Sequence, residues 1–135
     1  MRVLVVGSIG KRGETRIDFL VGELGARDIE VVKVRTNYGN RDWREHFDEV
    51  KIYLKNSQRY FEENSIDVVV ADLSAASDGR THQLMIANQR GIPTFGFAQV
   101  VVDTPWRLVD VDRLFTNIND LVAALRSYEK TIAAD

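Results

Sequence analysis

The chain has 135 residues, a length that suits one domain with one hydrophobic core. Hydrophobic residues make up 44% and charged residues 28%, which is an ordinary balance for a globular protein. The formal net charge is −2, with acidic and basic residues well mixed. This pattern argues against a polyanion-binding surface, so we expect no nucleic-acid polymer as a partner.

Cysteine is absent, which excludes disulfides, thiolate metal sites and a cysteine nucleophile. The two histidines, His46 and His82, show no ligand spacing, so we expect neither a metal nor a cofactor. The sequence begins with an apolar strand rather than a signal-peptide pattern, and no run approaches the roughly 18 apolar residues of a membrane span. We therefore expect a cytoplasmic protein with no membrane partner.

Short valine-rich runs alternate with amphipathic segments along the chain. In order, we predict a strand at 2–7, a glycine-rich loop at 7–16 entering a helix, a strand at 29–34, a helix at 44–64, a strand at 67–73, a helix at 80–90 and a strand at 93–97. The apolar stripe of the long second helix would be Phe47, Val50, Leu54 and Phe61.

The stretch at 98–116 is less regular than the rest. We predict a strand or an extended loop at 100–103 and a short edge strand at 113–115. Asn117 is then placed to cap a final amphipathic helix.

This alternation predicts a three-layer α/β domain over residues 1–135, with a mostly parallel sheet of four or five strands and helices on both faces. Ligands of such folds bind outside the carboxyl ends of the strands, near the point where the strand order reverses. That rule indicates two loops, at 7–16 and at 72–83.

The first loop combines tight turns with anion-binding groups. Its glycines, Gly7, Gly10 and Gly13, let the backbone approach a ligand closely. Its hydroxyl and cations are Ser8, Lys11, Arg12 and Arg16. With a helix N-terminus following, these groups suit an oxyanion, although the spacing matches neither the dinucleotide nor the P-loop motif. The alternative is a solvated basic turn.

The second loop follows the third strand. Asp72 ends that strand, where it would either cap a neighbouring loop by accepting backbone N–H bonds or act in catalysis. Small donors surround the start of the next helix: Ser74, Ser77, Gly79 and Thr81. We predict Asp78 as the N-cap of that helix, with Gln83 in its first turns.

The two loops together resemble the nucleoside 2-deoxyribosyltransferase superfamily, and most of all its 2'-deoxynucleoside 5'-phosphate N-hydrolase branch. The first loop matches a Gly-Ser-Ile turn followed by arginines and glycines, through Gly7, Ser8, Ile9, Arg12, Gly13 and Arg16. The second matches the frame Ser-x-Gly-x-Gly-x-Glu-Leu through Ser77, Gly79, Gln83 and Leu84, with Thr81 at the second glycine. Similar stretches around the third and fourth strands and the final helix extend the resemblance over most of the chain.

The resemblance implies a nucleotide-binding N-glycosidic hydrolase or transferase, and a homodimer. In that family a glutamate attacks the anomeric carbon, assisted by an aspartate and a tyrosine. Gln83 occupies the glutamate position, Leu4 the tyrosine position, and no acid lies at Asn56–Arg59, where the aspartate belongs. A neutral amide is a far poorer nucleophile than a carboxylate.

Three explanations stay open for these departures. The chain is a non-catalytic nucleotide binder, it uses another acid such as Asp72, Asp78 or Glu14, or Gln83 is a substitution that traps a complex. The candidate catalytic residues are thus Gln83, Asp72 and Asp78. The candidate substrate- and phosphate-binding residues are Ser8, Ile9, Gly10, Arg12, Arg16, Ser77 and Gly79.

Two other function classes fit the same alternation. A receiver-like signalling domain would use Asp72 as phospho-acceptor, but it needs a pair of acids after the first strand, where this chain has Gly7 and Ser8. In a protein-interaction module, Trp43 and Trp106 would be interface anchors; otherwise we expect both to be partly buried in the core.

Overall fold

A computed structural model describes the chain except residues 9–10, 34–43, 46, 64, 76, 101, 103–104 and 135, and it describes only the backbone at some further positions, Arg12 and Asp78 among them. The elements are β1 (Arg2–Val6), α1 (Lys11–Gly25), β2 (Glu30–Lys33), α2 (Phe47–Glu63), β3 (Val68–Asp72), α3 (Asp78–Gln89), β4 (Thr94–Phe97), a 3-10 turn (Pro105–Leu108), β5 (Arg113–Phe115) and α4 (Ile118–Ala134).

The strands form one parallel sheet in the order β2-β1-β3-β4-β5. Val3 pairs with Val68 and Val5 with Val70, so the two most apolar strands lie side by side at its centre. Both strands are buried on both faces, which is why their sequences do not alternate with polar residues. The strand order reverses between β1 and β3, and this confirms the predicted α/β fold class with a five-stranded sheet.

Helices cover both faces of the sheet and divide the core in two. One core joins the sheet to α1 and α4, with Val3, Val5, Leu20, Val70 and Leu121 at its centre. The other joins it to α2 and α3, through Leu4, Phe61, Val69, Leu84 and Ala87. Among the described residues, no helix is both long and apolar enough to span a bilayer.

Most predicted elements are confirmed within one to three residues, and the differences are local. The glycine-rich loop is shorter than predicted, because α1 already begins at Lys11 and includes Gly13 and Arg16 in its first turns. Phe47 is exposed instead of lying in an apolar stripe. Asn117 caps α4 as predicted, its Oδ1 accepting a bond of 2.9 Å from the Asp120 N–H.

For the connection between β4 and β5, the predicted edge strand at 113–115 is confirmed as β5, and the alternatives at 100–103 were a strand or an extended loop. Val102 lies outside any strand, and a 3-10 turn follows at Pro105–Leu108. Trp106 in this turn is 79% exposed, so its expected burial in the core is wrong. Trp43 lies outside the described residues.

The early start of α1 depends on close packing of the helix against its own entry loop. A Cβ atom at Gly13 would overlap the carbonyl oxygen, the carbonyl carbon and Oγ of Ser8. Any other residue at position 13 would therefore push the Ser8 loop away from the helix. Gly22, in the same helix, has open space where its Cβ would be.

These two glycines predict opposite responses to the same substitution. Gly13→Ala should lower the free energy of unfolding by about 1–3 kcal/mol, because the added methyl overpacks the Ser8 contact. Gly22→Ala should raise it by about 0.5–1 kcal/mol, since alanine is the better helix former. Urea unfolding followed by circular dichroism measures both, and equal effects from the two substitutions would contradict the packing argument.

Candidate functional site

The loops that follow β1 and β3 meet at the carboxyl edge of the sheet. The Ser77 hydroxyl donates to the Gly7 carbonyl at 3.5 Å, a bond between residues 70 positions apart in the sequence. Ser8, the next residue after Gly7, thus lies beside the start of α3. The two segments singled out from the sequence therefore form one rim, at the point where the strand order reverses.

Ser77 also begins α3. Its extended backbone (φ −161°, ψ 118°) and its Oγ, which accepts from the Arg80 N–H at 3.2 Å, make it the N-cap. The prediction that Asp78 is the cap is wrong by one residue, and Asp78 is instead the first residue of the helix. The serine has the better position because its hydroxyl can accept from α3 while donating to the Gly7 carbonyl. The positive end of the helix dipole therefore faces the rim.

An ion pair ties the two loops together. Nε of Arg16 donates to Oδ2 of Asp72 at 2.8 Å, and the side chains are 27% and 2% exposed. Nη2 of the same arginine donates to the Ser8 Oγ at 3.3 Å, and the Ser74 N–H donates to Oδ1 of Asp72 at 3.2 Å. Both carboxylate oxygens thus have partners, as in the loop-capping interpretation of Asp72.

Arg80 is a buried cation that the sequence interpretation missed. It is 3% exposed, and its Nη1 donates to the carbonyl of Asp72 at 3.0 Å and also to the carbonyl of Ala75. Burial lowers the pKa of its guanidinium; the charge of Arg107 lowers that pKa further, whereas Asp72 raises it. Arg107 itself approaches the Leu73 carbonyl at 3.5 Å.

A signal for Arg80 was present in the helical spacing. Residues 80, 83, 84 and 87 form the i, i+3, i+4, i+7 stripe that faces the sheet, and all four are buried. The last two, Leu84 and Ala87, are apolar, but the first two are Arg80 and Gln83. Positions that face the sheet are normally apolar. Two polar side chains at the start of such a stripe, next to the carboxyl edge of the sheet, therefore indicate groups with a role in binding.

The remaining candidates are distributed as follows. Ile9 and Gly10 lie outside the described residues, and Arg12 and Gly79 lie in the first turns of α1 and α3. Leu4, at the position of the family's tyrosine, is buried in the core between the sheet and α2 and α3. In the part of the chain that the structure describes, no three acidic or histidine side chains group as metal ligands would.

Comparisons with known proteins bear on the fold. No protein-family model matches the sequence, and neither does any curated protein. Among solved structures, a 2-deoxyribosyltransferase from the psychrotolerant bacterium Bacillus psychrosaccharolyticus superposes with a TM-score of 0.57 at 14% identity, over 88% of this chain and 89% of that one. The fold is nucleoside deoxyribosyltransferase-like.

A second solved structure agrees. A conserved protein from Enterococcus faecalis V583 superposes with a TM-score of 0.57 at 11% identity, over 95% of this chain and 99% of that one. At such identities the similarity establishes the architecture, and the site residues of this chain have to be assigned from its own geometry.

The Arg16–Asp72 pair predicts a stability effect. Asp72→Asn keeps the size of the side chain but removes the charge that faces Arg16, so we expect the free energy of unfolding to fall by about 1–3 kcal/mol. The matched control is Glu62→Gln, which removes one charge of the exposed Arg90–Glu62 pair and should change stability by at most about 0.5 kcal/mol. Urea unfolding measures both variants. Similar losses of unfolding free energy would show that the Arg16–Asp72 pair contributes no more to stability than the exposed Arg90–Glu62 pair.

Proposed function

We propose that this chain binds a nucleoside 5'-monophosphate or a related sugar phosphate at the rim between the β1 and β3 loops. The observation that carries the proposal is the contact of Ser77 with Gly7, which brings the two loops together beside the N-terminus of α3. A helix N-terminus, hydroxyls and guanidinium groups at one edge are the donors that a phosphate requires.

In this proposal the phosphate lies against Ser8, Arg12, Arg16, Ser77 and Gly79. Ile9 and Gly10, the other binding candidates from the sequence, lie outside the described residues. Support comes from the described members of the set. Ser8 and Ser77 lie at the same rim. Asp72 orients Arg16, which reaches the Ser8 hydroxyl.

Binding without turnover is the form of the function that the geometry supports. Gln83 and Asp72 would face the sugar, but the amide is neutral and the carboxylate is occupied by Arg16 and by the Ser74 N–H. We therefore assign Asp72 to positioning rather than to acid–base chemistry. If hydrolysis occurs, Asp78 acting through water is our candidate for the general base, with Glu14 as the other acid left open, and such general-base catalysis typically contributes roughly 10²- to 10⁴-fold.

The burial of Asp72 also weighs against a receiver-like domain. A phospho-accepting aspartate has to be open to a phospho-donor, whereas this carboxylate is buried and ion-paired with a cation from α1. The protein-interaction module keeps some support from Trp106, which is exposed on the β4–β5 connection.

A nucleotide panel tests the proposal. Nucleoside 5'-monophosphates and the matching nucleosides are titrated by calorimetry while released free base is followed by chromatography. We expect the monophosphates to bind, the nucleosides to bind at least about tenfold more weakly because they lack the charged group, and no base to appear. Base release would show that another acid performs the chemistry, and no binding of any nucleotide would favour the interaction module.

A charge placed at the rim gives a sharper prediction. Ser77→Asp keeps a capping oxygen at the start of α3, so the helix should persist, but the carboxylate should repel a phosphate and weaken binding by about tenfold or more. Ser127→Asp adds the same charge to an exposed position in the middle of α4 and should leave the affinity unchanged. Equal affinities of the two variants for the tightest-binding monophosphate would overturn the placement of the phosphate at Ser77.

A further inference from the structure

One edge of the Arg80 guanidinium has no hydrogen-bond partner among the described residues. Nη1 uses its protons on the carbonyls of Asp72 and Ala75, whereas within the described part of the chain neither Nε nor Nη2 has a hydrogen-bond partner. Nε and Nη2 form the side of the guanidinium that binds two oxygens at once. A 97% buried arginine (3% exposed) thus keeps its best oxyanion-binding edge free.

A second unmatched group lies in the same segment. The Ser74 Oγ is buried and has no partner among the described residues, and it and the Arg80 Nε are the two buried side-chain polar atoms in this state. Leaving such a group unsatisfied is unfavourable, and more so when the group is charged. Both fall in the short stretch between β3 and the first turn of α3, which indicates a shared missing partner rather than scattered imperfections.

An acceptor that carries negative charge suits both groups. A guanidinium edge offers only donors, and a hydroxyl can add one more, so an oxyanion with two or more oxygens matches both. The neighbouring charge of Arg107 adds attraction for an anion at this place. By contrast, the charge of Arg16 is already matched by Asp72.

We propose that the free Nε–Nη2 edge of Arg80, with the Ser74 hydroxyl, binds a second oxyanion of the same ligand whose phosphate lies at Ser8 and Ser77. The inference rests on the proposed function and narrows its ligand to a nucleotide or sugar phosphate that carries another carboxylate or phosphate group. The two subsites belong to one network, because Ser77 caps the helix through the backbone N–H of Arg80 itself.

Matched ligand pairs test this inference. Orotidine 5'-monophosphate is uridine 5'-monophosphate with an added carboxylate, and ribose 1,5-bisphosphate is ribose 5-phosphate with an added phosphate. By calorimetry, we expect at least one doubly anionic ligand to bind about tenfold or more tightly than its partner, and the pair that shows the gain identifies the group. If the singly anionic ligands bind and neither pair shows a gain, the second subsite is wrong while the proposed function stands; if none of the four binds, both fail.

Substitutions at Arg80 and at a control position show which residue produces the higher affinity for the doubly anionic ligand. Arg80→Lys keeps the charge and a donor for the Asp72 and Ala75 carbonyls but removes the two-pronged edge, so the gain should shrink to about twofold or less while the singly anionic ligand binds as before. Arg90→Lys, at the other end of α3, is the matched control and should keep the full gain. A gain that survives Arg80→Lys would overturn the assignment.

Ser74→Ala provides a test that leaves Arg80 in place. It removes a hydroxyl that has no partner within the described residues, and we expect it to reduce the gain by about two- to fivefold without lowering stability, since no bond among those residues is lost. If the affinity gain is unchanged in Ser74→Ala, Ser74 does not belong to the subsite. If it is unchanged in both Ser74→Ala and Arg80→Lys, the proposed subsite is wrong.

Discussion

The site depends on the ion pair between Arg16 and Asp72. Asp72 is the last residue of β3, and each of its oxygens has a different partner: Oδ2 accepts from Arg16, Oδ1 from the Ser74 N–H and the carbonyl oxygen from Arg80. One residue therefore joins the sheet, α1, the β3 loop and α3. Because loops at the edge of a sheet have few apolar contacts to hold them, such a polar hub fixes their relative position better than packing alone.

The cations at this edge have different roles, and burial separates them. Arg16 is partly exposed and has a carboxylate partner, so its main role is to connect α1 to the end of β3. It also orients the Ser8 hydroxyl. Arg80 is buried, has carbonyl partners for one of its nitrogens, and keeps the opposite edge open. A buried guanidinium without a full complement of acceptors is unfavourable in the unliganded protein. Binding of the oxyanion that we propose would relieve that unfavourable state.

The sequence was sufficient for the layout of the sheet and for the location of the site. The β1 and β3 runs are uninterrupted because both sheet faces are covered, and the rule that ligands lie where the strand order reverses indicated two loops that do meet at one edge of the sheet. The sequence was insufficient for features that depend on a contact between segments, such as the exact ends of helices. The start of α1 depends on Gly13 fitting against Ser8, the cap of α3 depends on a bond from Ser77 across to Gly7, and the exposure of Trp106 depends on the path of the β4–β5 connection. None of these contacts can be predicted from the spacing of residue types along the sequence.

The departures from the family's catalytic pattern are linked physically. Leu4, where the resemblance would place the assisting tyrosine, is part of a packed core. Gln83 lies three residues after Arg80 on the same face of α3, a separation at which side chains interact. A glutamate at position 83 would place a carboxylate within reach of the free guanidinium edge and would satisfy it from within the protein. The neutral amide of Gln83 leaves that edge to the ligand that we propose, which is consistent with the proposed binding without bond cleavage.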